Sequence, residues 1–313
     1  MRPRIILALA LLLSSSIASA AEIRGAWSAL VKGDRVHLNM VRDRSNWGRT
    51  LPRADFAVSE AQMNSATETP VRFSFTRDAG TIDFNGTFQS GEGVGRFTFT
   101  PNRAYAETLR SLNVASDEPL DEDRLFSLAM HDISTEFIRT MQSLGYRETL
   151  EQYIAFRIHG VTPEFVRELQ SLGYDKISGE ELVAFRIHGV TPQFVREMKD
   201  LGYKVDGDQL VAFRIHGVSS QYTRDMKGLG VKELSADQLV AMRIHGVSTD
   251  YVRELRDLGY TGLNSDELVA MRIHGVSTRF IRELADAGYH GIPVEKLIEM
   301  RIHGIDAAML RKQ

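Results

Sequence analysis

The chain has 313 residues, 43% of them apolar and 25% charged, with a formal net charge of −3 and no cysteine. That balance fits a folded protein with a sizeable core, and the absence of cysteine excludes disulfides, thiolate metal sites, a cysteine nucleophile and a lipidated N-terminal cysteine. A mildly acidic chain also argues against a nucleic-acid partner, whose expected footprint is a basic face.

Residues 1–20 read as a secretory signal peptide cleaved after Ala20. Arg2 and Arg4 form a positive region, Ile5 to Leu13 an apolar run, and Ala18-Ser19-Ala20 a small-residue cleavage site. The apolar run has nine residues, where a spanning helix needs about 20. No other stretch is longer and as apolar, so no membrane span is expected. Losing the leader takes the formal charge from −3 to about −5. The expected address is periplasmic or secreted, and the style of the leader is bacterial.

From residue 21 to 113 apolar residues alternate, as in Val36, Leu38 and Met40, in Val71, Phe73 and Phe75, and in Ile82 with Phe84 and Phe97 with Phe99. Period two with aromatic and β-branched residues predicts half-buried antiparallel strands. Asp78-Ala79-Gly80 and Ser90-Gly91-Glu92-Gly93 supply turns. The expectation is a β-meander, sandwich or open barrel, closed by a short helix around Tyr105 to Leu112. Its phenylalanines are read as core rather than as a ligand groove. Asp83, Asn85 and Glu92 lack the spacing of a calcium loop.

Residues 114–120 form a polar, proline-containing linker, and the period then changes. Arg-Ile-His-Gly occurs six times from Arg157 on, and the histidines at 131, 159, 188, 216, 245, 274 and 303 recur every 28 or 29 residues. A fixed period of that size predicts a solenoid, here seven helical-hairpin repeats over 121–313, the last truncated. Thr149 with Gln152, Ser178 with Glu181, Ser235 with Gln238 and Asn264 with Glu267 have capping-box spacing, and Asp206 with Gln209 is a near variant. Each first helix should stop at a glycine such as Gly189. The second then opens at Thr162-Pro163, Thr191-Pro192, Ser219, Ser248 or Ser277. The first helix is apolar nearly all round, Ile187 included, and is expected inside, with the amphipathic second helix outside. The fold class is therefore α+β with two domains, a small N-terminal antiparallel β domain followed by an α-helical-hairpin repeat solenoid.

The repeat sets up two ladders, Arg157, Arg186, Arg214, Arg243, Arg272 and Arg301, and His159, His188, His216, His245, His274 and His303. Both are read as structural. Each repeat offers one histidine, and stacked repeats lie on the order of 10 Å apart, too far for neighbouring imidazoles to share an ion. The rings are expected to serve the last carbonyls of their helices, and the arginines to pair with second-helix acids such as Glu168 or Glu197. No catalytic or cofactor-binding motif is present, so neither a catalytic centre, a cofactor nor a metal is expected.

The repeat, as in Leu239 to Tyr260 (LVAMRIHGVSTDYVRELRDLGY), resembles a module of bacterial exported proteins with RIHGV-type repeats of about 29 residues. It is also similar to repeats appended to some BlaR-type membrane sensor peptidases. The run from Arg77-Asp78-Ala79-Gly80 to Phe99-Thr100-Pro101-Asn102 is similar to the segment preceding such repeats. The zinc peptidase motif and membrane helices of those sensors are absent from this sequence, so the resemblance implies an extracytoplasmic sensing or binding module and no peptidase activity. The expected function is a non-enzymatic scaffold or binding protein offering its repeats to a protein or peptide partner in the cell envelope. The alternative is a ligand or polymer binder whose β domain carries specificity, with the repeats as spacer.

Overall fold

The computed structural model describes residues 23–42 and 45–310, so the expected leader lies outside the described residues. The chain is α+β, with an antiparallel sheet followed by paired helices. It divides into two compact units after Arg139.

In the first unit, strands β1 (Ile23–Lys32), β2 (Arg35–Arg42), β3 (Ser45–Pro52), β4 (Thr69–Arg77), β5 (Gly80–Gln89) and β6 (Glu92–Pro101) form one sheet. Their order is β3-β2-β1-β6-β5-β4. Two three-stranded meanders are thus joined where β1 pairs with β6, with Ile23 opposite Phe99 and Trp27 opposite Gly95. The alternation delivers one face to the core: Val36, Leu38, Met40, Phe73, Phe75, Ile82, Phe84, Phe97 and Phe99 are all buried. Phe73 stacks on Phe84 with centroids 4.6 Å apart, and Trp27 meets Phe73 edge-on at 5.5 Å. The indole lies so close to the sheet that a Cβ on Gly86 or Gly95 would stand 2.7 Å from it. Its Nε1 donates to the Asn85 carbonyl at 3.2 Å. Side chains at those glycines would displace the largest core residue of the sheet.

Helix α1 (Glu60–Met63) packs against β4 and β5, and α2 (Tyr105–Ser111) buries Tyr105 and Leu109. The next helix, α3 (Glu122–Met130), opens the first repeat, yet it packs on the sheet. Phe126 stacks on Phe97 at 5.6 Å and meets Trp47 edge-on at 5.0 Å. That aromatic seat is why the division falls at Arg139 and not within residues 114–120. Asp132 stands where later repeats have glycine and adopts φ 52°, held by an ion pair with Arg77 at 3.3 Å.

The remaining helices come in pairs. They are α4 (Thr135–Ser143), α5 (Leu150–His159), α6 (Pro163–Ser171), α7 (Gly179–His188), α8 (Pro192–Asp200), α9 (Gly207–Ile215) and α10 (Ser220–Gly228). Then follow α11 (Ala236–Ile244), α12 (Thr249–Asp257), α13 (Ser265–Ile273), α14 (Thr278–Asp286), α15 (Val294–Ile302) and α16 (Ala307–Leu310). From α5 onward the odd-numbered helices stack on one another as one layer and the even-numbered as a second. Reciprocal capping boxes form at Ser178, Ser235 and Asn264. Thr149 and Asp206 accept from the amides of Gln152 and Gln209. Thr162, Thr191, Ser219, Ser248 and Ser277 cap the second helices, with Pro163 and Pro192 in their first turns.

Candidate functional site

The Arg-Ile-His-Gly tetrapeptide closes each first helix, and its four residues have different fates. The glycine takes the left-handed conformation, with φ 73° at Gly189 and 71° at Gly246, and ends the helix there. The arginine reaches back to the preceding repeat. Arg186 lies over the Phe165 ring and Arg214 over Phe194, each 5.1 Å from the centroid. Arg243, Arg272 and Arg301 lie over Tyr222, Tyr251 and Phe280 at 5.0 Å. In crossing, Arg186 and Arg243 donate Nε to the carbonyls of His159 and His216 at 3.3 Å. The guanidinium passes over the previous glycine, where a Cβ would come within 3.1 Å of Arg186 at Gly160 and 2.9 Å of Arg243 at Gly217. Arginine and glycine are therefore complementary across the repeat junction.

This corrects the expected pairing of the arginines with second-helix acids. Glu197 instead accepts from the Ser220 hydroxyl and from Gln193, and Glu254 accepts from Thr278 and Arg282. The Ser220 and Thr278 hydroxyls are the leading causes that hold these carboxyls below the usual glutamate range. The expected role of the histidine rings is also replaced. His159, His188, His216, His245, His274 and His303 are all exposed, and at His159 and His216 the carbonyl at the end of the helix is served by the neighbour's arginine. Arg157 is half-buried at the start of its ladder. Among the described residues, no three His, Asp or Glu side chains gather as a metal cluster.

Two further ladders tie the repeats together. The tyrosine after four of the second helices donates to a carbonyl at the next junction: Tyr146 to Ile177, Tyr174 to Val205, Tyr203 to Leu234 and Tyr260 to Ile292, at 2.7–2.9 Å. Burial raises the phenol of each of these tyrosines above its ordinary value. Val231 interrupts this ladder, and there the backbone itself pairs, Lys232 donating to Leu263 at 3.1 Å and Ser265 to Lys232 at 3.2 Å. Gln170, Lys199 and Lys227 donate to the carbonyls of Leu144, Leu172 and Leu201 at the end of the preceding second helix.

The isoleucine is the residue that stacking does not use. Ile187 was expected in the core, but it is 56% exposed. Ile158, Ile215, Ile244, Ile273 and Ile302 are 54–57% exposed. Large apolar side chains held at the same exposure in six successive repeats make a column, not scatter. One turn earlier Val183, Val211, Val240 and Val269 are half-buried on the same face.

The sheet offers less. Its phenylalanines are consumed by the core. Asp83 accepts from the Ser74 hydroxyl and Asn85 from Arg72 Nε at 2.7 Å, so each is engaged with a neighbouring strand. A depression between β2 and α3 is lined by charges that pair with one another, Arg42 with Asp123 and Arg103 with Glu122.

Compared with known proteins, the chain matches no family model, no curated protein and no solved structure. Among the described residues no helix is long and apolar enough to cross a membrane.

Proposed function

We propose that this is an exported, non-enzymatic binding or scaffold protein whose helical repeats present a continuous face to a protein or peptide partner in the cell envelope. The observation that carries it is the isoleucine column, six side chains 54–57% exposed at one repeat position. Exposed apolar groups of this size in register favour association over solvation, at roughly 25 cal/mol per Å² removed from water. Stacked repeats commonly act through such an extended surface. Export is supported by the leader pattern of residues 1–20, and a sensing or binding role by the resemblance of the repeat to modules of exported and sensor proteins.

The test is crosslinked capture from the native cells, with the full-length protein set against an Ile187→Asp, Ile215→Asp, Ile244→Asp variant. The wild type is expected to capture a defined set of proteins that the variant loses at unchanged melting temperature. Capture that survives these substitutions but fails with Arg96→Glu on the sheet would transfer the function to the β domain.

A further inference from the structure

The face that carries the isoleucines has two charged edges as well as an apolar floor. In α7, Glu180, Val183, Ala184 and Ile187 stand at i, i+3, i+4 and i+7, so they share one side of the helix. Seven residues bring Glu180 and Ile187 within about 20° of each other and separate them by about 10 Å along the axis. The same pattern recurs in α9, α11 and α13, with Asp208, Asp237 and Asp266 in the acidic place. All four acids are exposed. At the other end of each helix stand the arginine and histidine of the tetrapeptide, the guanidinium lying over its ring. The stack therefore carries an acidic row and an apolar floor, with the arginines and histidines flanking the isoleucine end of that floor.

Acids in a first turn also suit the helix dipole, which accounts for their position along the helix. It does not account for the exposed isoleucine on the same side. The two features together define a shape. From acid to isoleucine this face is about 10 Å across, which matches the diameter of an α-helix, about 10–12 Å, and is twice the spacing of an extended strand, about 4.8 Å. Successive first helices lie about 8–10 Å apart, close to the rise of one heptad, about 10.5 Å. A helix laid along the stack, across the first helices, would thus meet each repeat with nearly the same heptad position.

We propose that the occupant of this face is an amphipathic α-helix of a partner protein, lying along the stack. Its apolar stripe sits on the isoleucines, a basic flank faces the acidic row, and an acidic flank faces the arginines and histidines. The inference rests on the partner-presenting function proposed above and specifies its surface and ligand. Charge complementarity selects this occupant. A uniformly acidic helix or an anionic membrane surface would meet the carboxylates of Glu180, Asp208, Asp237 and Asp266 with like charge.

The test uses the full-length protein and three synthetic, dye-labelled four-heptad peptides with leucine at the a and d positions. One has lysines along one flank and glutamates along the other, one has glutamates on both, and one has lysines on both. Fluorescence anisotropy at low salt is expected to show the mixed peptide binding at least about tenfold more tightly than the all-glutamate peptide. Asp208→Lys with Asp237→Lys is expected to reverse that preference. Ile215→Ser with Ile244→Ser is expected to weaken the mixed peptide by at least about tenfold, and Arg196→Ser on the second-helix layer to leave it unchanged.

Equal affinity for mixed and all-glutamate peptides, indifference to the isoleucine substitutions, no binding by any of the three, or preference for phosphatidylglycerol vesicles would each overturn the occupant. Those results leave the broader function to the capture experiment, which uses no designed peptide and fails independently.

Discussion

At the scale of single residues, the guanidinium of Arg243 makes the repeat junction cohesive in two ways. It lies 5.0 Å from the centroid of Tyr222 and donates to the His216 carbonyl at 3.3 Å. A cation over an aromatic face contributes about 0.5–2 kcal/mol, depending on how far it is desolvated. Arg243→Ala should therefore lower stability by about 1–2 kcal/mol in urea unfolding. Arg243→Lys should retain most of that loss, because an ammonium cannot lie flat on the ring. An unchanged midpoint in both variants would contradict the stack. Gly246 has φ 71° and a neighbour, Arg272 Nη2, 3.2 Å from where a Cβ would stand. Gly246→Val is thus expected to cost more than about 1 kcal/mol, and an unaltered melting temperature would refute the strained position.

Tyr251 adds a pH dependence of known sign. Burial pushes its phenol up to about 12, and its hydroxyl donates to the Val276 carbonyl at 2.6 Å. A group whose folded value is raised gives stability that is complete below its unfolded value near 10 and is lost as pH rises toward 12. The melting temperature of the wild type should therefore fall more steeply between about pH 10 and 12 than that of Tyr251→Phe. Phenylalanine already occupies this place at Phe165, Phe194 and Phe280, so the variant should fold. Parallel falls in the two proteins would dismiss the phenol as the cause.

At the scale of elements, what could be read from the sequence was what neighbouring residues decide among themselves. The capping boxes at Ser178, Ser235 and Asn264, the caps Thr162 to Ser277 and the left-handed glycines all depend on contacts within a few residues. The alternation of Val36, Leu38 and Met40 is equally local. Ser235→Ala should accordingly cost about 1 kcal/mol, measured by chemical denaturation, and no loss would mean that the box contributes nothing. What stayed hidden depends on partners one repeat away or across the sheet. Arg243 finds Tyr222 only after two repeats have stacked, and β1 finds β6 only after the meanders between them have folded. The exposure of Ile187 is not legible locally, because a short helix rich in apolar residues gives no weak side to its pattern. The structure spends Leu182 and Phe185 on the core and leaves Ile187 outside. Trp27 and its glycines gave no local signal either, since Gly86 and Gly95 come to the indole from other strands.

At the scale of the whole molecule, the repeat separates holding together from facing outward. Arginine, glycine, tyrosine and lysine join neighbouring repeats, so the array needs no disulfide and the chain has no cysteine to make one. The isoleucine takes no part in those junctions and is free to meet something else, which makes its column the centre of the proposed function.

The most direct measurement places a photo-crosslinking residue at Ile215 or Ile244 of the full-length protein in its native cells, with Arg196 on the second-helix layer as reference. Both isoleucine positions are predicted to give adducts with the same partner protein, mapped to one helical segment of it, and Arg196 to give none. Adducts from Arg196 or from Arg96 on the sheet, with none from the isoleucine positions, would contradict a function carried by the isoleucine face.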